Sequence, residues 1–192
     1  MPSLLATGAV HHHLIREGTR TKVGLVVESG EPREVHHFAM LIGYGAGAVN
    51  PYLVLESLKD ICARQAAGRC IDHRTMEGNY IKALHKGVLK IISKMGISTL
   101  QGYRGAQIFE AVGLSQKFVD RYFTWTPSPI GGVGLDEIEA EALARHALAY
   151  PKRRVGGDTG LQLGGVYQWR RDGEYHMYNP DTIALLQDAA RT

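Results

Sequence analysis

The sequence predicts an α/β fold with parallel strands. Three observations carry that reading. Residues 23–27, VGLVV, form a continuous apolar run rich in β-branched residues, the pattern of a strand buried on both faces. Within residues 79–95, Ile81, Leu84, Val88, Leu89, Ile91, Ile92 and Met95 recur at three- and four-residue steps, the stripe of an amphipathic helix. Gly96 then follows the last apolar turn, where a left-handed helix stop is expected. After it comes a short β-type run at 97–100, a turn bracketed by Gly102 and Gly105, and a second helix over about 106–112. Helix, strand, glycine loop, helix is the repeating unit of an α/β layer or barrel.

Taken in order, Ser3 can cap a helix over about residues 4–16, stopped by Gly18. His11, His12 and His13 lie inside it. Consecutive helical residues point in three directions, so packing and hydrogen bonding are preferred over a shared metal. After the strand at 23–27, Glu28 and Ser29 enter a loop on the strand's C-terminal side, where ligands bind in parallel folds. An ordinary loop carboxylate and a helix cap are the preferred reading of that pair. Pro32 suits the first turn of a helix over 33–42, with His36 and His37 near its start.

Gly43, Gly45 and Gly47 make a G-x-G-x-G run. A dinucleotide fingerprint needs strand, then glycines, then helix. Here the glycines follow a helix and precede a short strand at 48–50, so a close-packed turn is expected rather than a phosphate cradle. Pro51 opens a helix to about Arg64, and residues 65–74 form a polar surface excursion. Beyond the central stretch, residues 115–122 read as a short helix and 124–134 as a Pro- and Gly-rich loop without regular structure. Residues 136–150 form a helix that Pro151 ends, and 152–165 are basic, glycine-rich linker. A hairpin around Asp172-Gly173 and a terminal helix from Pro180 to about Ala190 complete the chain. About three strands are too few to close a sheet, so the periodicity suggests an incomplete domain.

Composition narrows the function classes. At 44% hydrophobic and 21% charged, 192 residues support one globular core. A net charge of +3, with no basic run longer than Lys152-Arg153-Arg154, argues against nucleic acid. No apolar run reaches bilayer length, and Met1-Pro2-Ser3 lacks a basic signal region, so no membrane partner and a cytoplasmic location are expected. Cys62 and Cys70 do not match zinc or iron–sulfur spacing and read as reduced structural thiols. No G-x-S-x-G, H-E-x-x-H or P-loop motif is present. Lys82, Lys86, Lys90 and Lys94 recur every fourth residue. They read as a solvated face, or as a docking face for an acidic partner or a phosphate.

The stretch KALHKGVLKIISKMGISTLQGYRGAQIFEAVGL resembles the end of the central domain of the glutamate synthase large subunit. LLATGAVHHHLIREGTRTKVGLVVESGEPREVHHFAMLIGYGAGAVNPYL resembles the second half of that domain, and GGVYQWRRDGEYHMYNPDTIALLQDA the entry into the FMN-binding synthase domain. The resemblance implies three parts. Residues 1–114 are the C-terminal half of a central domain, 115–165 a connecting segment with a helix, and 166–192 the start of the FMN domain. It implies a partial, degenerate FMN-type (β/α) barrel unit with parallel strands, then a linker and a C-terminal helix. Enzymes of this family make two glutamates from glutamine and 2-oxoglutarate, with FMN and a 3Fe–4S cluster held elsewhere.

No cofactor is implied for this chain, and Pro2 stands in place of the N-terminal nucleophilic cysteine that the family's amidotransferase domain uses. The expected partners are the remaining glutamate synthase domains, with the small subunit as a further candidate. Lys82, Lys86, Lys90, Lys94, Tyr103 and Arg104 are the candidate domain-interface residues. Tyr103 and Arg104 stand in the loop that should face the FMN domain, and Arg104 is a multi-donor tether. Three positions depart from the family pattern: Gly102 for serine, His85 for asparagine and Trp125 for glycine. A second reading is a free-standing α/β interaction module that binds a phosphate ligand or an acidic partner. A segment of a larger enzyme should expose apolar surface, whereas a module should be closed around one defined pocket.

Overall fold

The structure, a computed structural model, describes residues 1–64, 71–151, 164–166 and 168–191. Two compact units divide it, Met1–Ala149 and Tyr150–Thr192. In the first, α1 (Ser3–Arg16) leads into β1 (Val26–Glu28), α2 (Val35–Gly43), β2 (Ala48–Asn50), α3 (Tyr52–Arg64) and α4 (His73–Lys94). There follow α5 (Leu100–Tyr103), β3 (Val112–Leu114), α6 (Gln116–Tyr122), β4 (Ile130–Val133) and α7 (Leu135–Ala149). The class is α/β, and both strand pairs are parallel, β1 with β2 and β3 with β4. Helices dominate. Among the described residues none is long and apolar enough to cross a membrane.

The strand lies later than its apolar run suggests. Arg20 is the reason: its guanidinium donates to the Val23 carbonyl at 2.9 Å and to the Gly45 carbonyl at 2.8 Å, which holds the approach to β1 outside the sheet. α1 begins at Ser3 rather than after it, and the Ser3 amide donates instead to the Glu31 carboxylate at 2.6 Å. Pro32 is fully buried in the loop before α2 and does not open that helix.

The glycine run is a packing device between α2 and β2. A methyl at Gly43 would strike the Phe109 ring, and at Gly45, whose φ is +107°, it would strike the His11 ring. Side chains thus occupy the space a phosphate would need.

α4 starts six residues before the predicted apolar stretch, because Asp72 caps it by accepting the Thr75 amide at 3.0 Å. Its end is as expected: Gly96 has φ +70°, and the Ile97 amide reaches back to the Ile92 carbonyl at 3.1 Å, closing a Schellman turn. That closure removes the predicted strand at 97–100. The Ile97 amide is spent on the helix, and the Thr99 hydroxyl caps α5 by accepting from the Gly102 amide at 3.0 Å. The predicted helix at 106–112 is also absent. The Ala111 amide pairs at long range with the Pro127 carbonyl at 2.8 Å, and just before the stretch the Gly105 amide pairs with the Gly43 carbonyl at 2.8 Å. Residues 124–134, read as irregular, contain β4, which pairs with β3.

The core has two clusters. Phe38 of α2, Leu84, Val88 and Ile92 of α4 and Tyr103 of α5 form one. Leu5 of α1, Phe118 and Val119 of α6 and Phe123 form the other. A run of rings links them. Tyr44 stacks on Phe109 at 5.6 Å and meets Phe123 edge-on at 5.1 Å.

In the second unit, α8 (Pro180–Ala189) is capped by Asn179, which accepts the Thr182 amide at 2.8 Å. The helix buries no residue; Ile183, Leu185 and Leu186 stay exposed. No hairpin strand forms around Asp172-Gly173 among the described residues, only a turn closed by Gly173 to Arg170 at 3.1 Å. Most of the predicted linker, 152–163, lies outside the described residues, as do positions 65–70 of the surface excursion.

Candidate functional site

An apolar groove of about 650 Å³ lies beneath α4 in the first unit. One side is the chain from Gly47 to Pro51, which carries β2. The other is α4, through Ile81, Leu84, His85, Val88, Leu89 and Ile92. The helix is apolar over more arc than one core contact needs. At about 100° per residue, the positions from Tyr80 to Leu89 sweep about half the circumference, where a single core-facing stripe takes a little over 100°. Leu84, Val88 and Ile92 are spent on the core. Ile81 and Leu89 remain 40% and 63% exposed over the groove. That excess arc is the sequence signal for a second contact, and treating all seven apolar residues as one buried face passes over it.

The lysine stripe lies on the other side of the helix. Lys82, Lys86, Lys90 and Lys94 are all exposed, and none lines the groove. Tyr103 is fully buried, and its hydroxyl donates to the Ala39 carbonyl at 3.0 Å, so its side chain ties α5 to α2 from inside. Arg104 is half-buried. It donates to Gln101 Oε1 at 3.2 Å, while its Nε is buried without a hydrogen-bond partner. The structure therefore does not gather the six sequence-selected residues into one patch. It separates a charged stripe, a core phenol and a partly satisfied guanidinium.

A second concavity, about 410 Å³, is a cleft lined by His11, His12, Arg16, Tyr44, Gln107, Trp125 and neighbours. Arg20 Nε donates to His11 Nδ1 at 2.9 Å, which leaves the proton of the neutral ring on Nε2. Burial is the first cause that pushes His11 down to about 4, with the adjacent His12 and Arg20 adding to it. Burial and Arg16 lower His12 as well, and its Nε2 is buried without a partner. Both rings are neutral at pH 7, so the cleft has no imidazolium to offer. Gln107 and Trp125, from two different loops, both sit in the left-handed region at φ 55° and 67°. Trp125 is 78% exposed. The left-handed backbone accounts for the glycine expected at Trp125, because only glycine adopts it without steric cost. Glu28 and Ser29 line a third concavity, of about 330 Å³, against α1, and Ser29 Oγ accepts the Glu31 amide at 3.1 Å.

The groove carries no Arg or Lys to hold a phosphate. Two cysteines in the whole chain fall short of a cluster's ligand set. What the groove can do chemically is bury apolar surface and pair backbone.

Comparison with known proteins gives the family. Residues 1–115 match the family model for the glutamate synthase central domain. The glutamate synthase (NADPH) large chain of Bacillus subtilis is 52% identical over 192 residues, covering 100% of this chain and 12% of the relative. The glutamate synthase (NADH) of Schizosaccharomyces pombe is 44% identical, covering 100% of this chain and 9% of the relative. The ferredoxin-dependent glutamate synthase 2 of Synechocystis is 42% identical, covering 98% and 12%. The chain thus spans about a tenth of the length of the curated relatives it matches. It belongs to the glutamate synthase family, and residues 1–115 carry that family's central domain.

Proposed function

We infer that this chain is the connecting segment of a glutamate synthase large chain rather than one of its catalytic centres. The parent reaction converts glutamine and 2-oxoglutarate, with a reductant, into two glutamates; FMN and a 3Fe–4S cluster belong to other parts of the polypeptide. The observation that carries the reading is the open apolar groove beneath α4. A self-sufficient domain would cover Ile81 and Leu89, and a central segment leaves them for its neighbours. The same surface weighs against a free-standing module closed around one pocket.

In this reading residues 1–114 are the C-terminal half of the central domain and part of a degenerate FMN-type barrel, with β1–β2 and β3–β4 as its two parallel fragments. Residues 115–165 connect, and 166–192 open the FMN domain. The end of the family match at residue 115 and the uncovered apolar residues of α8 support those boundaries. The partners are the other domains of the same enzyme, with the small subunit as a further candidate, and the location is cytoplasmic. Arg104, with its unpartnered Nε, is the tether to a neighbouring domain, and Tyr103 sets its position from the core. The exposed lysines offer that neighbour a complementary charge.

The test is a purified sample of the 192-residue chain. Its absorption spectrum should show no flavin at one per chain, and glutamine-dependent reductive amination of 2-oxoglutarate should be absent. A yellow protein with stoichiometric FMN overturns the reading.

A further inference from the structure

We propose that the groove beneath α4 receives an extended apolar segment of the remaining large-chain polypeptide, which pairs with the free edge of β2 as a third strand. The proposal rests on the reading of the chain as a central segment and names what covers its open face.

The sheet is two-stranded, so the edge of β2 away from β1 has no strand partner. Ala48 and Asn50 are exposed, and β2 carries no charged residue to guard that edge. It is part of the groove lining, as Gly47, Ala48, Val49 and Asn50, with Pro51 limiting the pairing to three residues. The opposite wall is the surplus apolar arc of α4, and Leu55 and Leu100 contribute further apolar lining. An occupant must therefore bring apolar side chains toward α4 and backbone donors and acceptors toward β2. An extended segment does both. A docked helix satisfies its own backbone and leaves the edge unpaired. A small polar ligand finds few groups to orient it: Tyr80 already donates to the Arg33 carbonyl at 2.9 Å, leaving His85 and Asn50. The source of the segment is the polypeptide that relatives carry around this region, about nine-tenths of their length.

The experiment places this chain in the Bacillus subtilis large chain in exchange for the segment it matches. Hydrogen exchange at Val49, whose amide faces away from β1, is then compared between the chimera and the free chain. The proposal expects exchange slower by about tenfold or more in the chimera. It also expects Leu89→Asp to restore fast exchange there while leaving the melting midpoint of the free chain unchanged. Ser57→Asp, exposed on α3 and outside the groove lining, serves as control and should change neither. A chimera that assembles and turns over but leaves Val49 exchanging as in the free chain overturns the docking alone. So does a Leu89→Asp chimera that stays protected. A free chain that dimerises with this amide protected makes a second copy the occupant and overturns it too. An inactive chimera with that amide protected leaves the docking standing and overturns the central-segment reading; a chimera that does not fold overturns both.

Discussion

α4 and α7 are the two long helices that the sequence announces most clearly, and they end in different circumstances. α4 buries Leu84, Val88 and Ile92, with Tyr103 and Phe38 packed against them. α7 has good helix formers and Asp136 and Glu137 in its first turn, yet buries no residue. Leu143 and Leu148 are 62% and 73% exposed. Local physics is enough to make either helix. Burial needs a second surface: α4 has found one, while α7 reaches the second cluster only through the partly buried Ile138. Gly87 marks the difference: a methyl there would strike Val35 of α2, so the two backbones approach closely.

The sharpest way to break this comparison is truncation on both helices. Leu84→Ala should cost about 2–4 kcal/mol through lost transfer energy and a residual cavity. Leu143→Ala should cost less than about 0.5 kcal/mol. Urea denaturation of the 192-residue chain measures both. Equal costs would mean that α7 is packed in solution after all.

A smaller loss is expected from Tyr103→Phe, about 1–2 kcal/mol, because it leaves the Ala39 carbonyl without its donor inside the core. The same change should leave α7 unmoved, with hydrogen exchange of α2 and α5 rising first. Loss spread evenly over both helices would show that the hydroxyl does not hold α5 to α2 in particular.

Trp125→Gly should have the opposite sign. Relief of the left-handed backbone outweighs the extra entropy of glycine, for a gain of about 0.5–1 kcal/mol in the free chain. Little burial is lost, since the ring is largely exposed. A destabilised Trp125→Gly chain would place the indole in a packing role that its exposure does not suggest.

The smallest effect concerns pH. His11 is neutral in the fold well below its ordinary 6.5, down to about 4, while the unfolded chain takes up a proton near 6.5. The unfolded state therefore binds more protons in that window, and stability falls as pH drops from 6.5 toward 4. Solvent screening keeps the slope shallow, because the ring is only half-buried. His11→Gln should flatten the slope between pH 7 and 4, read from thermal midpoints. An unchanged slope would assign it to carboxylates instead.

Legibility followed the length of the pattern. The apolar period of α4, its Gly96 stop, the Ser115 and Asn179 caps and the packing turn at Gly43–Gly47 are all readable from residue type and spacing. The three-residue strands are too short to carry a period, so β4 was hidden inside a Pro- and Gly-rich stretch. Residues 97–100 and 106–112 failed for another reason. Their propensities favoured strand and helix; the Schellman closure from Ile97 to Ile92 and the Thr99 cap overrode the first, and the long-range bond from Ala111 to Pro127 the second.

The site divides in the same way. The lysine stripe was visible because charge at i,i+4 is a local pattern. The groove and the His11–Trp125 cleft were not, because each is lined by segments far apart in sequence. By itself the sequence determined the α/β class, the long helices with the Gly96 stop, and the family, since these depend on local energetics and on long runs of matching residues. The tertiary structure alone decided which apolar residues are satisfied and which wait for a partner. Burial is a property of a pair of surfaces, and one residue string carries only one of them.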